Sequence, residues 1–191
     1  AQVVVIQKEK IVQVPSHFLG RQQRRVDLNL RVVGKGRKRL GQDAHLDLMG
    51  DLQLALRALE SAIGVNKLNH DAYIQRGITY LDLKQGKEAM ADFVTASMLR
   101  ADSFPSMLGR GRAMLLLEDG PEAYNFFSKA LPLAGNNAER AAAYYWRALG
   151  LEQMKLVPSA LADWEALLRL PAAEIPALYR QAALQHAQSL A

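Results

Sequence analysis

The sequence predicts an all-α fold, a superhelical solenoid of antiparallel helix pairs. Two observations predict it. Side chains of the same type recur at intervals of 34 residues, and turn-forming residues divide each interval into two segments of helix length. A short basic arm, residues 1–40, precedes the helical domain of residues 41–191.

The arm has the alternation of β-strands. It contains two apolar runs, "AQVVVIQKEKIVQV" and "RVDLNLRVV", and in the second Val26, Leu28, Leu30 and Val32 alternate with polar residues. The intervening "PSHFLG" permits a hairpin. Because a lone hairpin is marginally stable in water, three arrangements stay open: packing on the helices, pairing with a partner's sheet edge, or mobility.

Positive charge is concentrated in the same arm. The chain carries +5 overall, whereas residues 1–40 hold ten Lys and Arg against Glu9 and Asp27, a balance of +8. Clustered cations attract nucleic acid and anionic membranes alike. Phe18 is the only aromatic residue there, which disfavours specific base recognition. The candidate anion-binding residues are Arg21, Arg24, Arg25, Arg31, Lys35, Arg37, Lys38 and Arg39.

The repeat begins after the arm. Two copies separated by 34 residues match in six pairs, and a third copy follows at a spacing of 37, which indicates three added residues within "LAGNNAER". The pairs are Tyr73/Met107, Gly77/Gly111, Tyr80/Met114, Ala89/Ala123, Phe93/Phe127 and Ala96/Ala130; the third copy has Tyr144, Ala148, Leu151, Ala160, Trp164 and Leu167.

The register extends beyond these three copies. Upstream it reaches Ala55, Leu59 and Ala62 after a predicted turn at Gly50-Asp51, and downstream it reaches Leu178 and Ala182. This predicts units at 36–68, 70–103, 104–137 and 139–172 and a closing helix at 175–189. The predicted helices are 38–49, 52–64, 70–83, 87–100, 105–117, 121–132, 139–153, 158–169 and 175–189.

Turn chemistry supports these divisions. Gly86, Asp119-Gly120-Pro121 and Pro158-Ser159 fall between paired helices, and Pro121 and Pro158 stand where a second helix would begin.

The stretch "LGRGRAML", residues 108–115, looks at first like a phosphate-binding or RNA-binding loop. Its Gly111, however, repeats Gly77 of "IQRGITYL". Glycine inside a helix costs about 1 kcal/mol relative to alanine, and close helix packing against a ring gives a steric reason for it. We therefore interpret both glycines as packing notches between antiparallel helices.

This pattern resembles the tetratricopeptide-repeat family, which has an aromatic, a small residue and an aromatic on one helix and Ala-x-x-x-aromatic on the next. The resemblance implies that the superhelical solenoid is right-handed. The resemblance covers residues 36–190 and departs from the family at Arg76, Arg110 and Arg147, where leucine is usual. The matching residues are Tyr73, Gly77, Tyr80, Ala89 and Phe93, then Gly111, Ala123 and Phe127, then Tyr144, Ala148, Ala160 and Trp164.

Stacked helix pairs line their inner surface with the first helix of each pair. The predicted groove is mostly apolar with one clear cation, and it lacks the set of Lys, Asn and Arg with which relatives clamp a peptide's terminal carboxylate. Its residues are Ile74, Ile78, Leu81, Asp82, Leu108, Arg112, Leu115, Tyr145, Leu149 and Glu152. Either a partner's apolar or amphipathic segment fills this groove, or the chain's own arm or closing helix does.

The three arginines have two interpretations. In the interpretation that we favour, their stems cover apolar surface while their heads reach water or a nearby carboxylate. In the other, they form a ladder of cations for an acidic partner.

Catalytic and metal-binding patterns are not evident. "GKGRKR" lacks the frame of a phosphate-binding loop, and Asp43, His45 and Asp47 do not converge on one face of a helix. We interpret His17, His70 and His186 as surface polar residues. No cysteine is present, and no Ser/His/Asp set is apparent.

The sequence thus predicts a non-enzymatic scaffold or adaptor that needs no cofactor or metal. The main alternative is a structural subunit of a larger assembly, anchored by its basic arm to nucleic acid or an anionic membrane. An enzyme with a spatially assembled site is the third class. We expect a soluble protein, which fits the cytosol or a disulfide-free periplasmic protein. Ala1 is expected to be either a cloning boundary or an end left by processing.

Overall fold

The computed structural model describes the backbone of residues 2–7, 10–15 and 42–190 and the side chains of residues 49–190. It divides into two compact units, Ala1–Gly50 and Asp51–Ala191. In the first, β1 (Gln2–Gln7) pairs antiparallel with β2 (Lys10–Pro15), with Gln2 opposite Pro15 and Gln7 opposite Lys10.

This hairpin lies within the first apolar run of the arm, except that β2 ends one residue beyond the run, at Pro15. The second run, the hairpin expected across "PSHFLG" and the candidate anion-binding residues all lie outside the described residues. Those candidates are Arg21, Arg24, Arg25, Arg31, Lys35, Arg37, Lys38 and Arg39.

The first helix, α1, is continuous from Gln42 to Val65. The predicted break at Gly50-Asp51 was therefore wrong, and residues 42–65 form one helix rather than the predicted pair. Glycine weakens a helix by about 1 kcal/mol but keeps its backbone N–H, so without a proline the hydrogen-bond ladder continues through it.

Seven further helices follow: α2 (His70–Asp82), α3 (Gly86–Leu99), α4 (Phe104–Leu116), α5 (Gly120–Ala130), α6 (Asn137–Gln153), α7 (Val157–Leu168) and α8 (Ala177–Leu190). Short 3₁₀ turns at Leu131–Leu133 and Ala172–Glu174 precede α6 and α8. Helices α2 to α7 form three pairs, each packed on the next, and α8 closes the series. The predicted all-α class is confirmed.

Each pair begins with the same cap. Asn69, Ser103 and Asn136 each accept a hydrogen bond from the backbone N–H three residues on, which satisfies one of the unpaired donors at the start of α2, α4 and α6.

The turn within each pair is made by a residue in the left-handed region. Lys84, Glu118 and Lys155 have φ of 61°, 62° and 62° and occupy equivalent places before α3, α5 and α7. Gly86, predicted as a turn residue, instead begins α3. Pro121 and Pro158 lie in the first turns of α5 and α7, as predicted.

Rings seated in glycine notches form the core of the repeats. A Cβ at Gly77 would lie 2.9 Å from the Phe93 ring, and one at Gly111 would overlap the Phe127 ring; both rings are fully buried. The predicted notches are confirmed. Gly109 is a third notch, since a Cβ there would overlap the Phe93 ring of the preceding pair. The sequence did not reveal this notch.

The closing helix has a register one residue away from the predicted one. Leu178, which the predicted register aligned with Tyr144, is 69% exposed, whereas Tyr179 packs inward and Ala183 is fully buried. Residues 172–174 form the 3₁₀ turn before α8, and the spacing from Tyr144 to its counterpart is 35 rather than 34.

The first helices α2, α4, α6 and α8 contact one another in succession, whereas the second helices α3, α5 and α7 make fewer such contacts. Closer spacing along one side of a stack puts that side on the inside of its curve. The first helices therefore form the inner face of residues 70–190.

Candidate functional site

On α2, the predicted groove residues divide into buried and accessible ones. Ile74 and Leu81 are 5% and 6% exposed and belong to the core around Phe93, whereas Ile78 is half-buried and Asp82 is exposed. Core residues offer no surface to a ligand.

On α4, the three predicted residues are half-buried. Leu108 packs against the apolar cluster that includes Phe104. The Leu115 side chain lies 3.2 Å from the place that a Cβ at Gly150 would occupy. The Arg112 guanidinium lies over the Trp146 ring, 4.7 Å from its centroid. This cation–π contact ties α4 to α6.

On α6, the three predicted residues meet the closing helix. Tyr145 lies 4.8 Å from Tyr179, ring centroid to centroid, and Leu149 packs against the same cluster. Glu152 accepts a hydrogen bond of 2.6 Å from Trp164 Nε1, and His186 Nδ1 lies 3.0 Å from its carboxylate. Glu152 thus links α6, α7 and α8.

Four half-buried residues from successive first helices form a continuous cluster, which we term the aromatic patch: Arg112, Tyr145, Trp146 and Tyr179. Burial raises the pKa of Tyr179, and the Arg112 charge and a hydrogen bond with Trp146 partly offset this. The phenol therefore stays neutral. An aromatic surface beside a cation binds apolar side chains and polar backbone groups together.

Sequence reasoning found Arg112 and Tyr145 but missed Trp146 and Tyr179. Tyr179 lies 35 residues after Tyr144, so a search at a fixed spacing of 34 could not find it.

The arginines at equivalent positions are held by carboxylates in two of three repeats. Arg76 Nε and Nη2 donate to the two oxygens of Asp92 at 2.8 and 2.7 Å, and Arg147 pairs in the same way with Asp163 at 2.7 and 2.6 Å. The hydrogen bond to Asp92 raises the pKa of Arg76. For Arg147, burial lowers the pKa but the hydrogen bond and charge of Asp163 outweigh it, so the pKa is raised. The intramolecular interpretation is confirmed for this pair of arginines, and the ladder of three available cations was wrong.

Solved structures of other proteins have a similar fold. No protein-family model and no curated protein matches this chain. TTC0263, described as a thermophilic TPR protein in Thermus thermophilus, aligns with a TM-score of 0.63 and 17% identity over 72% of this chain and 74% of that one. A MamA structure aligns with 0.58 and 20% identity over 75% and 74%. YrrB, described as a TPR protein with an unusual peptide-binding site, aligns with 0.55 and 19% identity over 77% and 71%.

The protein has the tetratricopeptide-repeat (TPR) fold. At identities of 17 to 20%, these alignments establish the fold alone. Function has to be argued from the residues of this chain.

A polar contact joins the first two TPR pairs and resembles a catalytic triad. His70 Nδ1 lies 2.9 Å from Asp71 Oδ1, and its Nε2 lies 3.1 Å from Ser103 Oγ. The sequence had indicated no such set, and His70, interpreted as a surface residue, is 7% exposed. Ser103 is buried and its Oγ already caps α4, so it lacks the access that a nucleophile needs. The contact positions successive pairs.

His186 likewise departs from the surface interpretation, because it stacks on the buried Trp164 ring at 4.9 Å. Within the part of the chain that the structure describes, no three His, Asp or Glu residues gather as a metal site. Asp43, His45, Asp47 and His17 have no described side chains. No helix in the described part of the chain is both long enough and apolar enough to cross a membrane.

Proposed function

We propose that this protein is a non-enzymatic scaffold or adaptor that holds a segment of a partner protein on the inner face of its TPR pairs. The observation that carries the proposal is the aromatic patch. It spans three successive first helices, and its members are half-buried. Three rings and a guanidinium held in fixed positions are the composition typical of protein interfaces.

The chemistry of the patch favours an amphipathic segment. Tyrosine and tryptophan rings provide broad contact area with few rotatable bonds, so little side-chain entropy is lost on binding. The Arg112 guanidinium, which lies over the Trp146 ring, adds a positive charge to this surface. A segment with apolar side chains on one face satisfies both.

The surface proposed for this contact extends beyond the patch along the same helices. Ile78, Leu108, Leu115 and Leu149 are half-buried and Asp82 is exposed, so they complete the proposed contact. Ile74 and Leu81 are left out because they are buried, and Glu152 contributes by fixing α8.

The solved structures of similar fold support the proposal by analogy. The peptide-binding site named for YrrB belongs to that protein, whose sequence is 19% identical to this one. Because TPR pairs expose a curved inner face, peptide capture is a use to which the fold is suited.

Affinity capture from the native host with the full chain as bait, followed by mass spectrometry, tests this function. We expect a partner that is retained by the wild type and lost with Leu108→Glu, because a carboxylate would be placed in an apolar contact. Leu68→Glu is the matched control, since Leu68 is 74% exposed outside this surface. Circular dichroism establishes that both variants fold. Equal retention by both variants would contradict the proposal.

A second function, anchoring through the basic arm, is favoured by the balance of +8 in residues 1–40. Replacing Arg37, Lys38 and Arg39 with glutamine in the full chain separates the two. If this variant loses the partner and Leu108→Glu retains it, the arm carries the interaction. The reverse result supports the inner face.

A further inference from the structure

The middle repeat lacks the carboxylate that its neighbours provide. Arg76 pairs with Asp92 and Arg147 with Asp163, sixteen residues on in each case. Sixteen residues after Arg110 stands Phe126. The arginine is thus present in all three pairs and its acid in two.

Arg110 is consequently held differently. Its guanidinium lies over the Phe126 ring, 4.2 Å from the centroid, and its Nε is buried without a hydrogen-bond partner. Among the described residues it forms no ion pair, whereas Arg76 and Arg147 each form one. A buried donor without an acceptor costs free energy, and the contact with the Phe126 ring takes the place of an ion pair at this position.

The preceding helix does not provide the missing acceptor either. Arg147 also donates to Ser128 Oγ at 3.2 Å and lies over Tyr124. The equivalent positions on α3 are Val94 and Met90, whose side chains carry no oxygen.

A second cation adjoins the same ring. Lys129 Nζ lies 5.8 Å from the Phe126 centroid, and Lys129 is exposed. A guanidinium stacked on a ring keeps its N–H groups directed along the ring plane, where a carboxylate can approach them. Arg110 is half-buried rather than fully buried, so part of this residue remains accessible to solvent.

We propose that Arg110 and Lys129 bind an aspartate or glutamate side chain of a partner protein. The partner provides in trans the carboxylate that Asp92 and Asp163 provide within the chain. This acid-binding site involves none of the residues of the aromatic patch, so it does not depend on the function proposed for that surface.

Fluorescence anisotropy with the full chain tests the site. The probe is a fluorescein-labelled octapeptide of alternating glutamate and alanine, in about 150 mM salt so that distant charges are screened. We expect Arg110→Gln to raise Kd about tenfold, the loss of one charge-assisted pair. Lys87→Gln, which removes the same charge from an exposed residue of α3, is expected to change Kd less than about twofold.

Phe126→Asp provides the second variant. It restores the acid found in the other two pairs, so Arg110 becomes occupied within the chain and Kd again rises about tenfold. Thermal unfolding establishes that each variant folds. If Arg110→Gln and Lys87→Gln weaken the probe equally, the attraction is general and the site does not exist.

One further variant separates the outcomes. Trp146→Ala, in the aromatic patch, is expected to leave probe binding unchanged, and loss of probe binding in this variant would place the binding on the patch instead.

Discussion

At the scale of residues, Arg147 and Asp163 show how this chain accommodates charge at a repeat position where the TPR family usually has leucine. Their side chains are 18% and 7% exposed, and two hydrogen bonds of 2.7 and 2.6 Å join them. Burying either charge alone would be costly, but together they satisfy one another. The pair fixes α6 against α7.

We therefore expect Asp163→Asn to lower the free energy of unfolding by about 2 to 3 kcal/mol, because Arg147 would keep its charge without a counter-ion. Urea denaturation followed by circular dichroism measures this. The matched control is Glu165→Gln, which breaks the exposed Arg169–Glu165 pair and is expected to cost less than about 0.5 kcal/mol. Equal losses would show that burial of the Arg147 pair contributes nothing.

At the scale of elements, the closing helix continues the TPR series with its own register. Tyr179 packs on Tyr145, Ala183 is fully buried, and His186 reaches Glu152. These residues lie on one face of α8 because they are separated by four and three positions. Helix α8 therefore covers the apolar end of the last pair.

The register of α8 predicts that two adjacent residues, Leu178 and Tyr179, differ in their contribution to stability. Tyr179→Ala is expected to cost about 2 to 3 kcal/mol, since a half-buried ring is removed from the cluster. Leu178→Ala is expected to change stability by less than about 0.5 kcal/mol, because Leu178 is 69% exposed. Chemical denaturation of both variants distinguishes the registers. A larger loss for Leu178→Ala would restore the register predicted from the sequence.

The sequence was sufficient where a feature repeats and insufficient where it occurs once. Gly77 and Gly111 were found because they lie 34 residues apart. Gly109 was missed because its counterparts are Gln75 and Trp146, although it receives the same ring as Gly77. An alanine-rich helix fits two registers, so the pattern around Ala183 could not select one.

Predicting which groove residues are accessible required knowing how each helix is rotated about its own axis. The first helix of each pair was correctly assigned to the inner face. Spacing alone, however, did not separate Ile74, which is buried, from Ile78, which is half-buried. Phe126 stands where the other two pairs have an acid, a difference that the sequence analysis did not single out, and what Arg110 does there instead required the stacking geometry.

At the scale of the whole helical unit, one kind of contact joins helices within and between pairs. Phe93 lies against Gly77 of its own pair and against Gly109 of the next, so a single ring couples two interfaces. In repeat proteins, stability is approximately the sum of such unit and neighbour contributions. Seating rings in glycine notches therefore holds the inner face together.

Gly111→Ala tests this most directly. A methyl group there would overlap the fully buried Phe127 ring, so we expect the free energy of unfolding to fall by about 1 to 2 kcal/mol despite the better helix propensity of alanine. Gly50→Ala, in the open interior of α1, is expected to raise it by about 0.5 to 1 kcal/mol. If urea denaturation shows that both variants are stabilised alike, the glycines are not notches and the account is wrong.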